Sequence, residues 1–178
     1  MDAVAAYELT KNLGGKTVLQ GVSFQVPEGG SMACVGREGA GKTTLARLMA
    51  GLGRPSSGEC SVLGLSPSYE SARLHGMMGV VLESARLYDS MSLWDNLRFF
   101  AGAHHVPKDQ GVERASFLLR RLNLWDDREK RPQELPTGDL TRAGLCRALL
   151  HRPRVLVLDE QGAGMDRETA VLVQELLR

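Results

Sequence analysis

The chain has 178 residues, enough for one domain with a proper core or one domain carrying an inserted lobe. With 43% hydrophobic and 24% charged residues it has the make-up of a soluble globular protein, and a net charge of +1 gives no reason to expect nucleic acid or an anionic membrane surface as a partner. An aromatic content of 5% also argues against base stacking on a nucleic acid. The N-terminal MDAVAAYELTK lacks a basic segment followed by an apolar one, and no apolar run approaches the ~18 residues that span a bilayer. A cytosolic chain is expected, with any membrane work done through a partner. Cys34, Cys60 and Cys146 form no C-x-x-C pair. Cys34 and Cys146 sit in apolar patterns and read as small core residues of a reducing compartment.

In chain order, Tyr7 to Thr10 and Thr17 to Val26 read as strands, the second with partial alternation at Val18, Val22, Phe24 and Val26. Pro27-Glu28-Gly29-Gly30 is a turn signal. The short apolar run Met32-Ala33-Cys34-Val35 is expected as a strand feeding a glycine-rich loop. Thr43 to Leu52 follows as a helix, with Leu45, Leu48, Met49 and Leu52 at helical spacing. Short strands are expected at Cys60 to Leu63 and Met78 to Leu82. From Ser90 to Arg147 the texture is helical: Ser92 opens one helix with Leu93, Leu97 and Phe100 on a face, and Val112, Ala115, Leu118, Leu119 and Leu122 mark a second. Arg154 to Leu158 is a continuous apolar run, as in a strand buried on both faces. The expected organisation is an α/β core at 1–88 and 148–178, interrupted by a helical lobe at 89–147.

Gly36-Arg37-Glu38-Gly39-Ala40-Gly41-Lys42-Thr43 satisfies G-x-x-x-x-G-K-[ST] in full. A triphosphate needs many donors at close range, and glycines let the loop turn its N–H groups inward without side-chain clash. Lys42 reaches the terminal phosphates as a point charge, the Thr43 hydroxyl is suited to magnesium, and the helix that carries Thr44 aims its positive end at the same place. ATP or GTP binding follows. Val155 to Leu158 then ends in Asp159 and Glu160. Ligands of open α/β sheets sit outside the carboxyl ends of strands, so Asp159 is the magnesium candidate and Glu160 the candidate to polarise an attacking water.

With these two motifs the chain resembles the ATP-binding subunits of ABC transporters over essentially its whole length. LTKNLGGKTVLQGVSFQV is similar to the family's opening strand pair, LARLMAGLGRPSSGE to the helix and turn after the phosphate loop, and GLCRALLHRPRVLVLDE to the helix and strand before the magnesium aspartate. Gly164-Met165-Asp166 resembles the family's D-loop. LYDSMSLWDNLRFF and the short length look most like the haem- and drug-exporter type. The resemblance implies a P-loop NTPase core with an antiparallel β region and a helical lobe, using ATP and Mg2+. It implies two such domains packed head to tail around two ATP molecules, driving export through membrane-spanning partners on the cytoplasmic face of the membrane.

The pattern is not kept everywhere. The signature, L-S-G-G-Q in the family, aligns with Leu135-Pro136-Thr137-Gly138-Asp139: Pro136 has neither hydroxyl nor N–H, Asp139 brings a negative charge, and Thr137 is the available hydroxyl. Glu83 stands at the Q-loop glutamine, where a carboxylate still suits magnesium. Leu13 takes the position of the aromatic that stacks on adenine, with Tyr7 in the preceding strand. Gln161-Gly162 replaces proline-threonine after Glu160. The family's switch histidine has no counterpart in these 178 residues. His151 and the His104-His105 pair read as solvated surface groups. The expectation from these departures is nucleotide binding with slow or absent self-sufficient hydrolysis.

Overall fold

The structure is a computed structural model; it describes residues 2–82 and 87–159 together with 171, 172 and 175. The chain divides into two compact units, Met1–Met78 and Gly79–Arg178.

In the first unit, β1 (Asp2–Leu13) and β2 (Lys16–Pro27) form an antiparallel hairpin in which Leu13 pairs with Lys16. Only Gly14 and Gly15 lie between them, with φ of +55° and +79°. A two-residue loop with both φ positive matches the right-handed twist of the strands, which is why a Gly-Gly pair sits there. Both strands run longer than their alternation predicts, because pairing continues to the turn once the hairpin closes. β3 (Ser57–Val62) adds to the other edge of β1, so the order is β2-β1-β3. Ala6, Leu9, Leu19, Val26 and Val62 are buried. α1 (Lys42–Met49) buries Leu45, Leu48 and Met49, as its spacing requires, but stops before Leu52, which is 49% exposed. A short α2 (Ser71–His75) completes the unit.

The expected strand at Met32 to Val35 is not formed: residues 31–37 have no regular structure and Val35 is 93% exposed. A strand exists only if neighbours take up its N–H and C=O groups, and β1, β2 and β3 pair with one another without reaching this run. Cys34 is therefore exposed rather than a core residue, whereas Cys146 is buried as expected.

In the second unit, β4 (Met78–Val81) pairs with β5 (Val155–Leu158). Gly79 lies so close to its neighbours that a Cβ there would stand 2.5 Å from the Ala148 carbonyl oxygen and 2.8 Å from Leu156. β5 is half-buried along its length rather than enclosed on both faces, since among the described residues β4 is its one partner strand. α3 (Leu93–Ala103), α4 (Lys108–Arg121) and α5 (Thr137–Leu149) enclose a leucine-rich core with Leu93, Leu97, Leu118, Leu119, Leu122 and Leu145 fully buried. Ser92 caps α3, its Oγ accepting from the Asp95 N–H at 3.1 Å.

The one fully buried uncharged polar side chain among the described residues, Asn96, holds the turn before α3. Its Oδ1 accepts from the Tyr88 N–H at 2.7 Å, and its Nδ2 lies 3.0 Å from the Tyr88 carbonyl oxygen, 3.2 Å from that of Met91 and 2.9 Å from that of Ser92. One amide thus satisfies main-chain groups that burial would otherwise leave without water.

Asn96→Ala is expected to lower unfolding stability by about 3 kcal/mol, and Asn96→Asp by no less, because a carboxylate cannot donate to three carbonyls; urea midpoints read the loss. Brief alkylation of the native protein at mildly alkaline pH is expected to modify Cys34 first and to spare Cys146, whose thiol pKa burial pushes far up. Peptide mass spectrometry reports the order, and early modification of Cys146 would contradict this packing.

Candidate functional site

Gly36 to Thr44 stay together in the first unit. Residues 31–40 are exposed, and the chain enters α1 through Gly41, which is buried with φ +89° and ψ 10°. Two constraints select glycine there: the left-handed backbone, and a Cβ that would stand 2.8 Å from Leu19 Cδ2 and 2.9 Å from the Val18 carbonyl oxygen. The helix start is thereby pressed against β2. Gly39 also has a positive φ, +76°, with open space where a Cβ would be. The Ala40 N–H closes a turn on the Arg37 carbonyl at 3.1 Å, and Glu38 lies in the same exposed turn.

Lys42 curls back over the loop. Its Nζ donates to the Gly36 carbonyl at 2.8 Å and to the Arg37 carbonyl at 3.1 Å, so the ammonium lies over the concave side of the turn. Among the described residues no side chain caps α1, and its first-turn N–H groups, those of Thr43 and Thr44 included, have no intrahelical acceptors. Uncapped donors, a helix dipole and an ammonium on one short turn suit an anionic oxygen-rich ligand, and phosphate is the ordinary case. The residues present fit the polyphosphate of a nucleotide.

Asp159 follows β5 in the second unit. It is 4% exposed; its N–H donates to the Val81 carbonyl at 2.9 Å, and its Oδ2 has no hydrogen-bond partner among the described residues. A buried carboxylate oxygen left without a donor suits a hard cation such as magnesium. Glu83, Glu160, Gln161-Gly162 and Gly164 to Asp166 lie outside the described residues. Leu13 ends β1 at 50% exposure, and Tyr7, paired with Glu59 across β1 and β3, is 71% exposed.

The signature-like segment opens α5. Leu135 is buried, Pro136 occupies the N-cap position, and Thr137 and Gly138 are exposed. Asp139 is not a bare charge: its carboxylate pairs with the Arg142 guanidinium one turn on, the two side chains being 14% and 25% exposed. The Asp–x–x–Arg spacing was present in the sequence, but only the helix shows that the acid is already matched. His151 and His104 are half-buried rather than fully exposed, and their rings stack in parallel at 3.9 Å. His105 remains exposed.

The ABC transporter family model matches residues 19–163. The uncharacterised ABC transporter ATP-binding protein YdbJ of Bacillus subtilis (strain 168) is 32% identical over 158 residues, which cover 89% of this chain and 50% of that protein. The aliphatic sulfonates import ATP-binding protein SsuB of Pseudomonas entomophila (strain L48) is 35% identical over 174 residues, covering 98% of this chain and 61% of that one. Among solved structures, cbiO1 from Clostridium perfringens, part of the ABC transporter complex cbiONQ, superposes with a TM-score of 0.83 at 26% identity, covering 99% of this chain and 74% of its own. The chain thus spans half to about three-fifths of the length of these two curated relatives. The fold is the α/β P-loop NTPase-like fold of ABC ATPases. A phosphate-type loop on that fold, within a family match that runs from β2 past Asp159, means that the chain belongs to the ABC transporter family as one of its ATP-binding domains.

Proposed function

We propose that the chain is the ATP-binding part of an ABC transporter, binding ATP with magnesium at Gly36 to Thr44 and coupling ATP binding and hydrolysis to transport through membrane-spanning partners. The observation that supports this most is the uncapped start of α1 with Lys42 folded over the loop. In this reading the loop N–H groups and Lys42 would hold the phosphates, and Thr43, Asp159 and Glu83 are the residues that would hold magnesium. Bound magnesium supplies charge neutralisation on the phosphates. Glu160 would polarise the attacking water. Leu13 offers the base an apolar contact without stacking, which leaves out a contribution of about 1–3 kcal/mol.

A second copy or a related domain, packed head to tail, brings Thr137 and Gly138 of its α5 to the nucleotide, and the lobe at 89–147 receives the membrane-spanning subunit. This places the chain on the cytoplasmic face of a membrane. The export direction drawn from LYDSMSLWDNLRFF gains no support from the relatives: SsuB is named for import. Transport without an assigned direction is the reading retained.

A second reading is favoured by one feature. Pro136 at the start of α5 has no N–H to give a phosphate, which suits a hydrolysis-poor nucleotide-binding partner in an asymmetric dimer. Phosphate release separates the two: vigorous turnover that Lys42→Ala abolishes sinks the hydrolysis-poor reading, while nucleotide binding without turnover supports it.

Under either reading Lys42→Ala is expected to weaken ATP binding about 10- to 100-fold, the worth of one or two charge-assisted hydrogen bonds, by titration calorimetry. Arg142→Met leaves Asp139 unmatched at the phosphate-facing end of α5. It is expected to weaken ATP-driven association of two copies by about fivefold at low salt, and adding Asp139→Asn should restore it. Association unchanged in Arg142→Met would show that the Asp139 charge is of no consequence to the nucleotide.

A further inference from the structure

Arg147, in the last turn of α5, is a part-buried cation that touches β4 and α3. Its Nη2 donates to the Val80 carbonyl of β4 at 3.0 Å. Its guanidinium carbon lies 5.1 Å from the centre of the Phe100 ring on α3. That ring stacks on Tyr88 at 5.6 Å with an interplanar angle of 15°, and Tyr88 is held through its main chain by Asn96. Among the described residues no carboxylate forms an ion pair with Arg147. Burial pulls its guanidinium pKa down, with Tyr88 opposing the shift.

Burying a cation without an anion is costly, and simple packing would be served by an apolar side chain. The neighbours Ala143, Cys146 and Leu150 are of that kind and are buried. The guanidinium adds direction: a planar donor that bonds one carbonyl and stacks on one ring admits few orientations, whereas apolar contact is non-directional. α5 is 13 residues long, with Thr137 at one end and Arg147 near the other. A helix transmits rotation and axial shift along its length as a stiff body. Leu135 before its start and Ala143, Leu145, Cys146 and Leu149 along it set its depth by apolar contact, and Arg147 adds a directional contact that bears on the angle at which Thr137 and Gly138 face outward.

We propose that Arg147 is a positioning residue: by bonding Val80 and stacking on Phe100 it fixes the rotation and height of α5, and so the presentation of Thr137 and Gly138 to a nucleotide held by a second copy. This rests on the function proposed above, because the presentation matters only if two copies close around ATP. It predicts a split between two readouts. Arg147 belongs neither to the phosphate loop nor to the proposed metal ligands, so nucleotide affinity of the single chain should change little in its absence, whereas closure of two copies should weaken.

The test uses the full chain with magnesium and a non-hydrolysable ATP analogue. Arg147→Met is expected to bind the analogue within twofold of wild type by fluorescence titration. Its analogue-driven association, by sedimentation, should weaken at least tenfold. Arg147→Lys, which keeps a donor for Val80 without the planar stack, should recover part of the loss. Phe100→Leu should show a smaller loss of the same kind and keeps the test open if Arg147→Met does not fold. Wild-type association in Arg147→Met, or in both Arg147→Lys and Phe100→Leu, overturns the inference. Affinity, association and melting temperature falling in parallel also overturns it, by showing a merely structural prop. A wild-type chain that fails to bind the analogue overturns the functional reading, and this inference with it.

Discussion

The close approach of Gly41 to β2 is the constraint from which the site is built. A left-handed residue with no room for a Cβ lies against Val18 and Leu19, so α1 begins at a fixed point beside the hairpin. Everything chemically useful in the first unit follows from that start: the uncapped N–H groups of the first turn, the loop that rises from Gly36, and an ammonium folded over its carbonyls. The hairpin in turn depends on the Gly14-Gly15 turn that sets its register. A backbone conformation, more than any single side chain, shapes the candidate anion site.

The second unit works by different means. Its leucine core brings three helices together without directional preference, and direction is added by a few polar groups: Asn96 for the turn before α3, Arg147 for the seating of α5, and Arg142 for the charge of Asp139. Asp159 is held by its own N–H on Val81, while one carboxylate oxygen has no donor among the described residues. These are the groups on which the proposed metal and phosphate roles of the unit rest.

The phosphate loop was readable because its requirements are local: glycines for donors at close range, a lysine, a hydroxyl and a helix start all fall within nine consecutive residues, Gly36 to Thr44. Helices α3 and α4 were readable for the same reason, their apolar positions recurring at helical spacing and Ser92 marking a start. The run at Met32 to Val35 was misread because a strand needs partners, and partners are distant in sequence. Cys34 went wrong with it. The same non-locality left β5 half-buried where its composition suggested full enclosure.

Residue order therefore decided the chemistry on offer: a G-x-x-x-x-G-K-T loop at Gly36 to Thr43, an acidic strand end at Asp159, and a signature-like segment at Leu135 to Asp139. Tertiary structure decided how those groups are held. It matched Asp139 to Arg142, stacked His104 on His151, seated Arg147 between Val80 and Phe100, and buried the Asp159 carboxylate. The division has a physical cause. Short-range backbone and spacing rules act within a turn or a loop, whereas burial and pairing of charge depend on which distant segments the fold brings into contact.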